Sequence, residues 1–381
     1  MSHFCVIVIG ENVDEQLAPY HEFECTGIDE YIEEVDELED LLKEYKTEKV
    51  RALKSPDGEI FSFYDDRFYR EPTEAEIEKL SFGNSRGIIG TGSRDGISYT
   101  SKDWGDGKGH RGKVHEIPAG YEKIELEGHE QLRTFDEYIE YSWGDVAKLY
   151  PGQPRDEEHK YRFLEMNSDG EIVAAIRRTN PNAKWDWYVV GGRWTGYFPL
   201  KKGAKGELGR PGVFNNQANP NTADVARKGD IDFDRARAES EAQAREWFAL
   251  WEKAFTKHGK PESWKSFLEK VDAKEMKIDE AREKFHKQPA IAEYKNSKDS
   301  LLGCPVGAFG FDKEAYVEAA RAASLIPFAI VKDGKWHEKG SMGGWGIVSD
   351  ARDEIEWVTE AAKAIDDLPD DTLLTIVDCH I

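Results

Sequence analysis

The sequence predicts an α+β protein whose mixed β-sheet includes both chain ends, with a helical subdomain late in the chain. Three observations carry this. The opening HFCVIVIG and the closing DTLLTIVDCHI are short apolar runs rich in β-branched side chains, the pattern of buried strands. Asp-Gly recurs between β-prone runs in SPDGEIFSFY, MNSDGEIVAAI and FAIVKDGKWHEKG, which marks three hairpins. From residue 234 to 296 the chain changes to helical spacing with mixed charge.

Taken in order, the N-terminal strand and the last strand are expected to be central or neighbouring, because ends this apolar need a sheet to bury them. Next, IDEYIEEVDELEDLLKEY places Ile28, Tyr31, Ile32, Val35, Leu38, Leu41, Leu42 and Tyr45 on one helical face. A helix over 28–45 is predicted, opened by a Thr26-to-Asp29 capping box, with an almost wholly carboxylate outer face. Thr73 to Glu76 and Thr134 to Glu137 have the spacing that opens two more short helices. The stretch KKGAKGELGRPGVFNNQANPNTADVARKGD, 201–230, is rich in Gly, Asn and Pro without periodicity, and reads as a long exposed loop or linker. The predicted division is therefore an α+β core from 1–200 and 300–381, a linker at 201–230, and a helical subdomain at 231–299. Within the last third, DKEAYVEAARAASL forms a helix capped by Asp312, and DEIEWVTEAAKAI forms the helix before the final strand.

Composition narrows the function classes. With 39% hydrophobic residues, 34 Gly and 15 Pro, the 381-residue chain fits a globular protein better than a disordered or fibrous one. No apolar run approaches the ~20 residues of a membrane-spanning helix, and the start has no basic leader, so neither membrane nor secretion is expected. Cys5, Cys25, Cys304 and Cys379 form no Cys-x-x-Cys pair, which predicts reduced thiols in a cytoplasm. The net charge is −23, and residues 1–45 hold fourteen acidic side chains against one Lys. Such a chain repels nucleic acid, which is not expected as a partner. Residues 174–205 are the exception: Arg177, Arg178, Lys184, Arg193, Lys201, Lys202 and Lys205 stand against Asp186 alone.

That basic island contains NPNAKWDWYVVGGRWTGYF, residues 180–198. Read as a strand, WDWYVV sends Trp185, Trp187 and Val189 to one side and Asp186, Tyr188 and Val190 to the other. Gly191 and Gly192 then allow backbone geometry or a close approach that a side chain forbids. Arg193 and Trp194 follow. Flat aromatic faces stack on nucleobases, and a guanidinium grips phosphate or carboxylate through two bonds. The competing reading is a tryptophan-rich core with Arg193 paired to a carboxylate. A second candidate is GDGKGHRGKVHEI at 105–117, where residues 107–113 have P-loop spacing. Val114 stands where Ser or Thr should hold magnesium, and no helix is expected after it, so P-loop hydrolysis is rejected. Its exposed backbone N–H groups with Lys108, His110 and Arg111 still suit an anion; the plainer reading is a surface loop. At the termini, His3 and Cys5 share a strand face, as do Asp378 and His380. These could ligate zinc, but buried His and Cys are more often satisfied core residues, and no metal and no cofactor is expected. GGW at 343–345 lines the same cavity as the GGRW turn or packs elsewhere. No His-Glu-x-x-His, Gly-x-Ser-x-Gly or calcium-loop pattern occurs.

Together, NPNAKWDWYVVGGRW, MSHFCVIVIGENVDEQLAPYHEFE, SKDWGDGKGHRGKV and DDTLLTIVDCHI resemble a family of accessory proteins encoded by tailed bacteriophages and prophages. The resemblance implies a setting and no chemistry: a soluble product in the cytoplasm of a bacterial host, of a kind often directed against host defence. The expected function is sequestration, without catalysis, of an anionic, planar, nucleotide-derived small molecule. The expected site is Lys184, Trp185, Trp187, Gly191, Gly192, Arg193 and Trp194, helped by Lys108, His110 and Arg111, around a hollow with aromatic walls. Two alternatives stay open. One is a nucleotide hydrolase or transferase. The other is an acidic inhibitor that imitates DNA or blocks a partner, such as a host defence protein, through the 29–44 helix.

Overall fold

The structure is a computed structural model that describes residues 2–80, 92–94, 97–100, 113–212, 219–296, 312–343 and 346–381. It is α+β, with mixed sheets that include both terminal strands. Two compact units are present, one of residues 1–32 with 180–381 and one of residues 33–179.

In the first unit the N-terminal strand His3–Ile9 pairs antiparallel with the C-terminal strand Leu373–His380 along its whole length. On its other edge it pairs parallel with Ala329–Lys332, which continues through Asp333-Gly334 into Lys335–Glu338. The hydrophobic ends are therefore neighbours at the centre of the sheet. Val6, Ile7, Val8, Ile376 and Val377 are fully buried, each stabilising by roughly 1.5–3 kcal/mol. The far edge of the C-terminal strand is shared: Val225–Arg227 pairs with its beginning and Trp187–Gly192 with its end. One sheet face packs Ile7, Ile330, Leu374 and Ile376 against Trp357, Ala361 and Ile365 of the helix Glu354–Asp366. The opposite face packs Phe4, Val6, Val8 and Val377 against Leu17 and Trp185.

Residues 201–230 are not a linker. Their described part supplies the strands Gly206–Glu207, Arg210–Pro211 and Val225–Arg227, which close this edge of the sheet, and Thr222–Ala223, which pairs with Phe198–Pro199 in a separate two-stranded sheet. Ala223, Asp224 and Ala226 are buried, so a stretch without periodicity is core because its neighbours cover it. The helices Phe233–His258, Trp264–Asp272, Ile278–Lys287 and Pro289–Asn296 gather their own apolar cluster around Trp251, Phe267 and Phe285. Asp312 caps Lys313–Ala322 through the Ala315 N–H.

In the second unit, Lys49–Lys54 forms the SPDG hairpin with Ile60–Ser62, and Arg162–Met166 forms the NSDG hairpin with Ile172–Thr179. The Thr134 capping box opens Phe135–Trp143. The 28–45 helix is not formed as expected. Thr26 instead ends a short helix, Phe23–Thr26, closed by Gly27 at φ +66°, and Tyr31 lies at φ +63°. Glu33–Asp36 is a strand on the edge of Ile172–Thr179, and only Leu38–Thr47 is helical. Asp36 explains the break, because its Oδ1 accepts from the Leu38 and Ala175 N–H groups and holds the strand to the sheet. Within this unit Glu34 pairs with Arg155 and Arg178, so part of the carboxylate face is already neutralised. Among the described residues, no helix is long and apolar enough to cross a membrane.

Candidate functional site

The 180–198 segment enters the sheet in two steps. Asn180 donates through Nδ2 to the Pro19 and His21 carbonyls. Trp185 bridges to His21, and its indole N–H donates to the Leu17 carbonyl, 3.0 Å away. Trp185 is only 7% exposed and meets Tyr188 edge-on at 4.9 Å. Strand pairing begins one residue later, where Asp186 N–H donates to the His380 carbonyl and Trp187 sits opposite His380. Trp185 and Trp187 do not share the side that alternation predicts; they lie on opposite faces because regular pairing starts only at Trp187. Trp185 is core. Trp194 is half-buried and packs against the Ile7–Ile376 cluster, so it too serves packing.

The two glycines are explained by carboxylates. Gly191 has φ +83°, and a Cβ there would lie 2.5 Å from Asp224 Oδ2. Gly192 has φ +57°, and a Cβ there would lie 2.4 Å from the Asp378 Cβ. Both partners are buried, Asp224 fully and Asp378 at 2% exposure. Asp224 accepts from the N–H groups of Gly196, Tyr197 and Gly209, and Asp378 Oδ2 accepts from Arg193 N–H at 2.9 Å. The turn therefore wraps around two ionisable side chains whose lone pairs it fills. That satisfaction is what makes their burial tolerable. The close backbone approach anticipated from Gly-Gly is real, but it is to the protein's own carboxylates.

Trp187 faces the other way and is 44% exposed. Its ring lies over His380 with centroids 4.9 Å apart and planes 14° from parallel, and His3 meets it edge-on at 5.3 Å. Each imidazole is held by an acid. His3 Nδ1 is 2.8 Å from Asp378 Oδ1, and His380 Nδ1 is 2.7 and 2.9 Å from the two Asp186 oxygens. A carboxylate can only accept, so each Nδ1 carries its proton to the acid and each Nε2 lies outside the pair. The two rings are 4.8 Å apart and nearly perpendicular. Chemically this is a rigid shelf: an indole on top, two oriented imidazoles beneath and beside it, and the exposed Arg193 tied through its backbone to the acid that holds His3.

The rest of the basic island is divided between the two units. Arg177 and Arg178 belong to the other unit. Lys184 pairs with Glu338 at 2.6 Å, and Lys201 donates to the Gly229 carbonyl at 2.7 Å. Lys184 is thus removed from the predicted site. Lys108, His110 and Arg111 lie outside the described residues. Lys113–His115, directly after that loop, is a strand paired with Ile97–Thr100, where a P-loop would need a helix.

The register does set His3 opposite His380 and Cys5 opposite Asp378. Cys5 nevertheless packs against the apolar cluster, and among the described residues these four form no three-donor metal set. Burial pushes the Cys5 and Cys379 thiols above their ordinary range, which removes both as nucleophiles at neutral pH. Ser2, beside His3, donates to the Gly343 carbonyl and accepts from Gly346 N–H. Gly343 and Gly346 are thereby tied to the residue next to His3, whereas Gly344 and Trp345 lie outside the described residues. Two site residues, Asp186 and Asp224, were not singled out from the sequence. Asp224 sits in the tract that reads as a linker and gives no local signal.

Cavities of about 420 and 410 Å³ occur in the 33–179 unit, and one of about 110 Å³ lies between Ile330 and Trp357 in the other. None of these three is lined by residues 184–194. No protein-family model, no curated protein and no solved structure matches the chain.

Proposed function

We propose that this protein binds a flat, anionic small molecule on the outer face of Trp187, with His3 beside the ring and the exposed Arg193, just past the end of the same strand, supplying positive charge. The observation that carries the reading is a tryptophan held by stacking on His380 while almost half its surface stays in water. A large apolar ring kept both rigid and exposed loses burial energy that a bound ring restores. The exposed aromatic face suits a nucleotide-derived guest, and the setting implied by the resemblance to phage accessory proteins suits sequestration as the purpose. The supports of the shelf, the buried Asp378 and the half-buried Asp186, are consistent with a preformed platform.

Equilibrium titration with mono-, di- and cyclic nucleotides tests this. Base–aromatic stacking is worth about 1–3 kcal/mol, so Trp187→Ala is expected to weaken binding by about fivefold or more, and Arg193→Ala to weaken it for phosphorylated ligands. Equal affinity in wild type and Trp187→Ala refutes the proposal. One observation favours a second reading: an imidazole oriented by a carboxylate through Nδ1 is the geometry of a general base. A nucleotide-processing enzyme would convert its ligand during the same titration, whereas a sequestering protein returns it intact on denaturation.

A further inference from the structure

We infer that Glu22, Cys25 and Asp186 form a binding site for a divalent transition metal, zinc being the best fit. A carboxylate oxygen of Glu22, the Cys25 sulfur and a carboxylate oxygen of Asp186 all lie within 4.8 Å of one another. Tetrahedral zinc sets such donors roughly 3.5 Å apart, given metal–ligand lengths of about 2.0–2.3 Å. Closure by about 1 Å, within reach of side-chain rotation, therefore completes the set.

The donors come from two distant stretches of chain that the backbone ties together. Glu22 N–H donates to the Trp185 carbonyl at 2.7 Å, Lys184 N–H donates to the Tyr20 carbonyl at 2.8 Å, and Asp186 N–H donates to the His380 carbonyl at 2.9 Å. Glu22 and Cys25 are three positions apart across the start of the helix Phe23–Thr26, which brings both side chains to one side. The site also has an outer support. Asp186 accepts from His380 Nδ1 and from Trp187 N–H, and His380 is 5% exposed. Partners of this kind, which fix the direction of a ligating group, accompany metal ligands.

The donor set selects the metal. Sulfur excludes magnesium and calcium, which take oxygen donors, and a thiolate with two carboxylates suits zinc or its cobalt substitute. Without a cation, desolvation and the Glu22 and Asp186 charges push the Cys25 thiol up to about 11. A divalent ion between the three donors reverses that balance, and Cys25 binds as thiolate, its proton passing to solvent. Three protein donors leave the fourth position for water or an incoming group. This inference does not depend on the stacking proposal, since metal would bind with the shelf empty.

The test uses chelator-treated full-length protein titrated with zinc chloride against a chromophoric zinc indicator. One equivalent is expected, with affinity lowered at least tenfold in Cys25→Ser and in Asp186→Asn. Cobalt should give a sulfur-to-metal charge-transfer band that Cys25→Ser abolishes. Peptide mapping after alkylation should show Cys25 protected by zinc, which separates this site from any other thiol and does not depend on how the variants fold. Absence of binding, a cobalt spectrum unchanged in Cys25→Ser, or alkylation of Cys25 at the same rate with and without zinc overturns the inference. Nucleotide titration of Cys25→Ser keeps the two proposals apart, because the shelf should bind normally without the thiol.

Discussion

Replacing Gly192 by Ala tests whether the Gly-Gly turn exists to accommodate carboxylates. Two costs apply. Left-handed backbone costs a residue with a Cβ about 1–2 kcal/mol. The new Cβ would also lie 2.4 Å from the Asp378 Cβ and from its Oδ2, far inside ordinary contact. Asp378 lies on the central C-terminal strand between buried neighbours and cannot retreat alone. Relief must break its bond to Arg193 N–H, to His3, or both. Bonds to a charged acceptor are worth about 1.5–3 kcal/mol each, so Gly192→Ala should cost about 2.5–5 kcal/mol if one bond breaks and about 4–8 kcal/mol if both do. Gly203 is the internal control: it has φ +82°, and a Cβ there would meet nothing within 4 Å. Gly203→Ala should therefore incur only the backbone cost, about 1–2 kcal/mol. Urea unfolding of both variants, with hydrogen exchange over residues 187–197 and 373–380 to localise the change, reads the difference. Equal losses would refute the carboxylate explanation and leave backbone conformation as the sole reason for the glycines.

Asp224→Asn keeps the shape of the side chain but turns one acceptor into a donor facing the Gly196 or Gly209 N–H, which should cost about 1–3 kcal/mol in thermal or urea unfolding. Trp185→Ala should destabilise by about 3–5 kcal/mol as a core truncation, while Trp187→Ala, on the exposed side, should cost much less. In the other unit, hydrogen bonds from Arg70 and Thr73 hold the Glu76 carboxyl down to about 2 from its ordinary 4.5. A lowered folded-state value means that the stabilisation is complete above about 4.5 and fades as the pH falls towards 2. Amide exchange in the helix Glu74–Leu80 should accelerate across that window in wild type and lose this dependence in Glu76→Gln.

Features set by local chemistry were legible in the sequence. The terminal strands announced themselves through unbroken β-branched runs, the hairpins through Asp-Gly, and the helix starts through Thr134 and Asp312. What escaped was decided by distant partners. Residues 28–36 carry apolar spacing compatible with a helix, but Asp36 bonds to Ala175 and makes that stretch a strand edge. The face of Trp185 depended on its bridge to His21, which no local period reveals. The two apolar termini, as neighbouring strands, bring His3, Asp378 and His380 together. The second acid, Asp186, joined them only because its segment crosses the end of the last strand. Asp224 looked like one more polar residue in a glycine-rich tract, and its role emerges only when three N–H groups from elsewhere close on it.

The most direct test of the stacking shelf is mass spectrometry of small molecules that remain with the protein through purification from cells producing nucleotide signals. Wild type and Trp187→Ala should be compared at matched stability. An anionic nucleotide-class compound should be retained by wild type, recovered chemically intact on denaturation, and lost from Trp187→Ala. The same compound retained equally by both proteins would contradict the shelf as its binding site.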